Sequence, residues 1–259
     1  IDQFAGTPSA EEAKKALERG LNVFLFSDNV PIEDELGLKQ FASKQGLLMM
    51  GPDCGTSLIG GVGIGFANAV RRGPIGAIGA AGTGLQGFTG QVHNAGSGIS
   101  HAIGTGSHDL SDKIAGLTTL AALDALDADQ QTRVIAIISK PPAAGTLAFL
   151  LDQIKAGQKP VVGCFLGVEP RLLSGKPNFQ PAHTIDEAVR IAVALSNGRA
   201  AMPVVGLTPK DLASIQQEKK GWSPEQKYLR GILAGGTFCY QSQQILREAG
   251  YIIYSNSPF

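Results

Sequence analysis

Short apolar runs alternate along the chain with longer stretches in which apolar residues recur every three or four positions. The runs have the length of buried strands, and the longer stretches have the spacing of one helix face. This alternation predicts parallel strands joined by right-handed helical crossovers, with ligands at the carboxyl ends of the strands. The strands are predicted at residues 75–79, 99–104, 134–139 and 160–167, and the helices at 83–95, 110–126, 143–155 and 185–196.

A similar pattern precedes this unit. It comprises predicted helices at 9–19 and 32–45, and strands with their turns at 21–28 and 47–55. Ser9 is the expected N-cap of the first helix. We expect these elements to close a parallel sheet that begins before residue 1, and the glycine-rich residues 60–73 to form a crossing linker.

The last sixty residues contain a connector and the start of a further unit. Residues 197–227 are polar and contain prolines, which predicts a connector with one short helix. In the unit from residue 228, Gly236 and Thr237 are followed, thirteen residues after the threonine, by a glycine and an apolar run. Gly82 and Thr83 are followed in the same way, so one module occurs twice. The chain starts without Met and ends on the apolar YIIYSNSPF, which is predicted to be a strand without its following helix, so we expect the chain to be part of a longer polypeptide.

The turn AAGTG at residues 80–84 connects a predicted strand to a predicted helix. The first amides of a helix have no partner within the helix, and glycine lets the backbone approach a ligand closely. The amides of Gly82, Thr83 and Gly84 therefore suit an anion, and phosphate is the natural candidate. The alternative is a tight strand-to-helix connection that binds nothing.

Composition narrows the class of partner. With 259 residues, 43% hydrophobic and 17% charged, the chain is long enough for two globular domains. Its net charge is zero, which disfavours a nucleic-acid partner, and no apolar run is long enough to span a membrane. We therefore expect a cytoplasmic protein with small-molecule or protein partners. Three cysteines at wide spacing predict free thiols, without disulfides or a metal site.

Three further segments follow predicted strands, where the backbone can line a ligand cleft. Cys54 in GPDC could contact a thiol or acyl group, or it could be a small buried residue. The amides of residues 104–109 in GTGSHD, together with Thr105, Ser107 and His108, could hold an oxyanion or a metal-phosphate; alternatively, Asp109 could simply cap the next helix. Lys140 could place a cation at the same rim as the AAGTG turn, or it could be an exposed lysine.

Four motifs occur in a characteristic order: VPIEDELGLKQFASKQGLLMMGPDC, GPIGAIGAAGTGLQGFTGQV, HAIGTGSHDLSD and KPVVGCFLGVEP. In this order they resemble the α subunit of succinyl-CoA synthetase, in the superfamily that includes ATP-citrate lyase, and within it the FdrA branch of predicted acyl-CoA synthetases. The resemblance covers residues 1–196. Residues 228–259 resemble the start of the carboxy-terminal domain that FdrA proteins carry in the same chain.

The resemblance implies that residues 1–70 are the last part of a Rossmann-like CoA-binding domain and that 74–196 are a flavodoxin-like, doubly wound ligase domain. It implies CoA, and phosphate or a nucleotide with Mg²⁺, as cofactors. It also implies a small acyl or carbamoyl substrate and a partner subunit or homo-oligomer. Together with the residue patterns, the resemblance predicts two sets of site residues. The predicted catalytic residues are Gly82, Thr83, Gly84 and Lys140. The predicted cofactor-binding residues are Pro52, Asp53, Cys54, Gly104, Gly106, Gly236 and Thr237.

Two features depart from the synthetase pattern. The glycine-flanked active-site histidine has no counterpart after PVVGCFLG, because this stretch is RLLSGKPNFQPAHTIDEAV. Its His183 could accept a phosphoryl group, but it directly precedes a capping box formed by Thr184 and Glu187. Lys140 stands where the synthetase has an acidic residue that supports its histidine.

The leading hypothesis is an acyl-CoA synthetase-like enzyme without the phosphohistidine. It would hold an acyl-phosphate-type intermediate between two helix N-termini, with the amides of residues 82–84 and 236–238 stabilising negative charge. One alternative is a subunit of a carbamoyltransferase that acts on oxalurate or oxamate and forms carbamoyl phosphate. Another is a non-catalytic scaffold that binds CoA or phosphate and a partner chain.

Overall fold

The computed structural model describes residues 6–154, 159–175, 177–200 and 208–257. The helices are α1 (Thr7–Glu18), α2 (Ile32–Lys44), α3 (Gly82–Asn94), α4 (Leu117–Ala128), α5 (Ala144–Ile154), α6 (Pro170–Leu173), α7 (Ile185–Ser196), α8 (Pro209–Lys219) and α9 (Gly236–Glu248). The strands are β1 (Val23–Phe24), β2 (Met49–Met50), β3 (Thr56–Ile59), β4 (Val62–Gly65), β5 (Arg72–Gly79), β6 (Ile99–Gly104), β7 (Val134–Ser139), β8 (Val161–Phe165) and β9 (Phe179–Ala182).

The main sheet has seven strands in the order β4-β3-β6-β5-β7-β8-β9. In this order, the five neighbouring strands β6, β5, β7, β8 and β9 pair in parallel, whereas β3 is antiparallel to both β4 and β6. Renumbered along the chain, the parallel strands have the order 2-1-3-4-5 of a flavodoxin-like sheet. This order confirms the predicted α/β fold with a doubly wound parallel sheet.

Helices cover both faces of this sheet, and this accounts for the uninterrupted apolar sequence of the central strands. Every residue of β7 and β8 is buried. On one face, Leu85 and Phe88 of α3 pack with the apolar stripe of α7. On the other face, Leu126 of α4 packs with Leu150 of α5. The two cores hold the loops at the carboxyl edge of the sheet in fixed positions.

Residues 6–50 form a smaller layer with its own core. Strands β1 and β2 pair in parallel, and α1 and α2 bury a cluster that includes Leu17, Leu25 and Met49. Helix α1 begins at Thr7 after Gly6, with Pro8 in its first turn, so the expectation that Ser9 is the N-cap is wrong. Helix α2 also packs against α4, which joins this layer to the main sheet.

Several local predictions differ from the structure. The segment expected to be a linker contains part of the β3–β4 hairpin, which extends the edge of the main sheet. The helix expected from residue 110 begins only at Leu117, because residues 107–116 form turns. Residues 251–257 contain no strand, and 258–259 lie outside the described residues.

The short helix expected in residues 197–227 is α8, which Thr208 caps in a capping box with Asp211. Residues 201–207 lie outside the described ranges, and the role of 197–227 as a connector stays a prediction. The boundary between the two expected domains near residue 70 stays a prediction, although the hairpin at residues 56–65 belongs to the main sheet. Among the described helices, none has both the length and the apolar character needed to cross a bilayer.

Candidate functional site

A crevice opens at the carboxyl ends of β5 and β7, next to the point where the strand order reverses. From β5 the chain continues to β6 on one side, whereas from β7 it continues to β8 on the other. The loops after these two strands therefore diverge, which is the usual ligand position in open α/β sheets. Helix α3 starts directly after β5 at Gly82, and Lys140 directly follows β7.

The N-termini of α3 and α9 meet in this crevice. Thr83 Oγ1 donates a hydrogen bond to Thr237 Oγ1 at 3.2 Å, and a Cβ atom at Gly84 would lie 2.9 Å from Thr237 Cγ2. Gly235, which precedes α9, has a φ of 102°, and a Cβ atom there would lie 2.4 Å from Thr83 Cγ2. Neither helix has a side-chain cap, so the first amides of both helices have no capping partner.

Lys140 brings a cation to the same place. Its Nζ would lie 3.0 Å from a Cβ atom at Gly236, and it sits 5.1 Å from the ring centroid of Tyr240. Within the described part of the chain, the Lys140 ammonium has no carboxylate partner. The positive ends of two helix dipoles and one ammonium group therefore converge, an arrangement suited to a multiply charged oxyanion.

These groups line a cavity of about 460 Å³. Six of the site residues predicted from sequence line it: Asp53, Gly82, Thr83, Lys140, Gly236 and Thr237. Gly84 lies just behind them, against the Thr237 methyl group. Phe66, Ser107 and His108 form other parts of the wall. The sequence offered Ser107 and His108 as possible oxyanion ligands, whereas Phe66 was not predicted.

The other predicted residues pack against one another instead of lining this cavity. A Cβ atom at Gly104 would lie 2.4 Å from Cys54 Sγ, and one at Gly106 would lie 2.3 Å from the Pro52 carbonyl oxygen. The Gly104 amide already donates to Ser57 Oγ at 2.9 Å. Close packing thus accounts for the glycines at 104 and 106. Because the Gly104 amide is already bonded to Ser57, it is not available to bind an oxyanion.

Cys54 is 2% exposed. Burial raises the pKa of its thiol to about 11, although hydrogen bonds with Ser57 and Thr56 oppose the shift. A buried, protonated thiol is a poor nucleophile. Of the two interpretations of Cys54, the geometry supports packing; its proximity to a CoA thiol stays a prediction.

A buried ionic cluster that the sequence did not predict lies beside the cavity. Lys39 Nζ lies 2.8 Å from Glu35 Oε1 and 2.8 Å from Asp109 Oδ1, and all three side chains are fully buried. Asp109 also accepts hydrogen bonds from the amides of Thr118 and Thr119, so it caps α4 from nine residues upstream. The expectation that Asp109 is the cap of a helix starting at residue 110 is wrong, because α4 starts at Leu117 and its N-cap residue is Gly116; Asp109 reaches the first amides of α4 across the intervening turns.

His183 lies at a different place. It precedes α7, where Thr184 Oγ1 accepts from the Glu187 amide as predicted. Glu187 Oε2 accepts from the His183 amide instead of the Thr184 amide, so only half of the predicted capping box forms. The imidazole Nε2 lies 2.8 Å from Glu248 Oε1, and the ring lines a separate cavity of about 140 Å³. Among the described residues, no group of three His, Cys, Asp or Glu side chains is arranged to hold a metal ion.

Comparison with known families gives one match. Residues 70–167 match the CoA binding domain family. Our sequence prediction places CoA against residues 1–70, whereas this match covers the β5–β8 part of the main sheet. The matched range contains both the α3 N-terminus and Lys140.

Two curated proteins are similar in sequence. The chain is 46% identical over 253 residues to the uncharacterized protein YahF of Escherichia coli, covering 97% of this chain and 48% of that protein. It is 27% identical over 141 residues to the succinate–CoA ligase [ADP-forming] α subunit of Methanothermobacter thermautotrophicus, covering 53% of this chain and 47% of that subunit. The chain thus spans about half the length of the curated relatives it matches. Membership of the FdrA branch stays a prediction.

Solved structures share the fold. ATP citrate lyase from Methanothrix soehngenii, in complex with citrate and coenzyme A, has a TM-score of 0.59 at 16% identity, covering 96% of this chain and 48% of that one. The dinucleotide-forming acetyl-coenzyme A synthetase 1 of Ca. Korarchaeum cryptofilum, in complex with phosphate and ADP, has a TM-score of 0.56 at 18% identity. The match covers 86% of this chain and 59% of that one. The fold is therefore that of CoA ligases and ATP citrate lyase.

Proposed function

We propose that the protein is a CoA-ligase-like enzyme whose crevice holds the phosphate of an acyl-phosphate-type intermediate between the N-termini of α3 and α9. The single observation that carries this proposal is the meeting of these two helix tips, with the Thr83 and Thr237 hydroxyl oxygens 3.2 Å apart, beside the Lys140 ammonium. The family match, the ligase relative and the phosphate-bound structural neighbour agree with it.

In this proposal, the crevice stabilises the negative charge that develops on the departing phosphate. When a nucleophile attacks the acyl carbon of an acyl phosphate, the departing phosphate gains negative charge. Amides of residues 82–84 and 236–238 would donate to the phosphate oxygens, and Lys140 would neutralise part of the charge. Each helix terminus contributes about 0.3–1 kcal/mol to an anion at its end, and up to about 2 kcal/mol when partly buried. These donors are already in position before the reaction, so little reorganisation is needed.

Coenzyme A would supply the thiol that accepts the acyl group. The cavity of about 460 Å³ has the size of a pocket for a drug-sized ligand, so it can enclose a phosphate group and the thiol arm but not the whole of CoA. Phe66 and Thr56 offer an apolar and a polar wall for such an arm. The residues present therefore fit the reactive end of the cofactor.

A carbamoyltransferase is the second candidate, and one observation favours it. His183 does not line the crevice but a separate cavity, where it contacts Glu248. A transfer that forms carbamoyl phosphate directly from inorganic phosphate needs an anion site and no phosphohistidine. Lys140 suits such a site, because a bound anion, unlike an imidazolium, is attracted to an ammonium group.

Calorimetric titration with inorganic phosphate, acetyl phosphate and carbamoyl phosphate tests the anion site. Lys140→Ala should weaken phosphate binding about 10- to 100-fold, the equivalent of one charge-assisted hydrogen bond. Lys113→Ala is the matched control, because Lys113 is a partly exposed lysine paired with Glu33 outside the cavity. Equal effects of both substitutions, or no binding by the unaltered protein, would refute the site.

Two assays then separate the candidate functions. Labelling of the protein by γ-³²P-ATP would support a phosphoenzyme relay and contradict the proposed loss of the phosphohistidine. Phosphate-dependent cleavage of oxamate or oxalurate without labelling would support carbamoyl transfer, whereas acetyl transfer from acetyl phosphate to CoA would support the ligase-like reaction. Phosphate binding with no turnover would leave the scaffold role. The partner subunit or homo-oligomer stays a prediction that sedimentation velocity can test.

A further inference from the structure

His108 is a titratable residue of the crevice that the proposed function has not used. It follows β6 in the turn at residues 104–109 and lines the same cavity as Thr83 and Lys140. Its side chain is 56% exposed, yet its Nδ1 lies 3.1 Å from Oε2 of the fully buried Glu35. One edge of the imidazole is thus held by a buried carboxylate while much of the ring remains accessible.

Glu35 is itself held in place. Lys39 lies one helical turn further along α2, and its Nζ forms an ion pair with Glu35 Oε1 at 2.8 Å, although the angles fall short of a hydrogen bond. The same ammonium donates to Asp109 Oδ1 at 2.8 Å and to the Thr105 carbonyl oxygen at 2.9 Å. Two carboxylates and one ammonium leave this buried cluster with one negative charge, which faces the His108 ring.

This arrangement fixes which ring nitrogen carries the proton. A carboxylate oxygen can only accept, so the neutral imidazole must donate from Nδ1 to Glu35. The lone pair then lies on Nε2, which has no hydrogen-bond partner among the residues the structure describes. His93 and His101 have the opposite arrangement, because their Nδ1 atoms accept from the amides of Arg71 and Gly60 at 3.0 and 3.1 Å.

We infer that His108 is the acid–base residue of the crevice, oriented by Glu35. This role rests on the proposed function. Nε2 takes the proton of the attacking thiol or amide as the bond from sulfur or nitrogen to the acyl carbon forms. The bond from the acyl carbon to the phosphate oxygen breaks, its electron pair stays on the phosphate, and the proton on Nε2 passes to that phosphate. Atoms and charge balance without a further reactant.

Long-range ¹H–¹⁵N correlation spectra of the four histidine rings test the orientation directly. At pH 8, neutral His108 should have a protonated Nδ1 and an unprotonated Nε2, whereas His93 and His101 should be protonated on Nε2. A His108 ring that is mainly protonated on Nε2 would overturn the inference. The His108→Asn spectrum assigns the signals.

Glu35→Gln should abolish this preference of His108, whereas Glu33→Gln, on the same helix but at an exposed side chain, should leave it unchanged. If Glu35→Gln does not fold, the spectrum of the unaltered protein still decides the tautomer. A preference that survives in a folded Glu35→Gln protein would contradict the positioning role of Glu35.

Two substitutions at residue 108 distinguish the proton-accepting function of Nε2 from the hydrogen bond that Nδ1 donates to Glu35. Asn places an amide nitrogen near the position of Nδ1 and keeps a donor for Glu35, but it has no group at Nε2. His108→Asn should lower the turnover of acetyl or carbamoyl transfer about 10²–10⁴-fold, with phosphate binding changed less than about twofold. His108→Gln should also lower turnover and should lose the donor to Glu35.

The outcomes distinguish the two proposals. Full turnover by His108→Asn would overturn the role of His108 and leave the anion site standing. Loss of phosphate binding in Lys140→Ala would support the anion site, and lowered turnover of His108→Asn with unchanged phosphate binding would support the role of His108. If the unaltered protein transfers neither group, the transfer function fails and the proton-transfer role fails with it, whereas the tautomer still reports the Glu35–His108 pair.

Discussion

The Thr83 and Thr237 hydroxyl oxygens form a 3.2 Å hydrogen bond, although 154 residues separate them along the chain. Thr237 is fully buried in this contact. Both threonines are the second residue of their helix and follow a glycine, so the repeated Gly-Thr module brings two equivalent positions together. The contact joins the main sheet to the helix that follows the connector.

A double-mutant cycle measures this contact. Thr83→Val and Thr237→Val each remove one hydroxyl, and their effects on the free energy of unfolding should be coupled by about 0.5–1.5 kcal/mol, as expected for one hydrogen bond. Urea denaturation of the two single variants and the double variant gives the value. Thr83→Val combined with a substitution of the exposed cap Thr208 should be additive. Additive effects for Thr83 and Thr237 would contradict the contact.

The close approach of the two helices depends on Gly84. A Cβ atom there would lie 2.9 Å from Thr237 Cγ2 and 3.3 Å from Ile138 Cγ2, so Gly84→Ala should push α9 away. We expect a loss of about 1–3 kcal/mol in stability, as for other overpacked sites, and weaker phosphate binding in the calorimetric titration.

Gly37→Ala is the control for this substitution. Gly37 also lies inside a helix, but a Cβ atom there would have no neighbour within 4 Å. Alanine should therefore stabilise α2 by up to about 1 kcal/mol. Unchanged phosphate affinity in a folded Gly84→Ala protein would show that the helix spacing does not matter for binding.

Local patterns predicted the elements of the main sheet well. The bounds predicted for α7 agree with the structure, because its apolar stripe and its N-cap Thr184 are both encoded within four to twelve residues. The start of α3 was predicted to within one residue for the same reason. The convergence of α3 and α9 was different: only the family resemblance implied it, since no local pattern relates residues so far apart.

The sequence missed two features whose signals are weak. Glu35 and Lys39 have the i, i+4 spacing of an ordinary exposed pair, but in the fold they are buried against the segment between β6 and α4. The β3–β4 hairpin lacks a clear alternation, because β4 is glycine-rich and mostly exposed. The sequence offered His108 as a possible anion ligand, but its contact with Glu35 depends on the packing of separate elements, which the pattern along the chain does not contain.

The buried ionic cluster should be sensitive to loss of its cation. Lys39→Met removes the ammonium that both Glu35 and Asp109 contact, which leaves two carboxylates buried without their cation. Breaking such a pair typically costs about 3–5 kcal/mol, and urea denaturation should show a loss of this size. Lys15→Met is the control, because the Lys15–Glu12 pair is exposed; its effect on the free energy of unfolding should be much smaller than that of Lys39→Met. Similar stabilities of the two variants would contradict the burial of the cluster.

The rates at which the three cysteine thiols are alkylated test the role of Cys54. Burial raises the pKa of Cys54 to about 11 and that of Cys164 to about 12, where the nearby charges of Glu187 and Asp186 add to the effect. A thiol of pKa about 11 has about 100-fold less thiolate at pH 8 than one with a pKa near 9. Alkylation by iodoacetamide, followed by peptide mass spectrometry, should therefore label both residues slowly in the native protein and label all three cysteines in urea. The half-buried Cys239 should be labelled first in the native protein. Rapid native labelling of Cys54 would contradict its packing role and would support the prediction that it lies near the thiol of CoA.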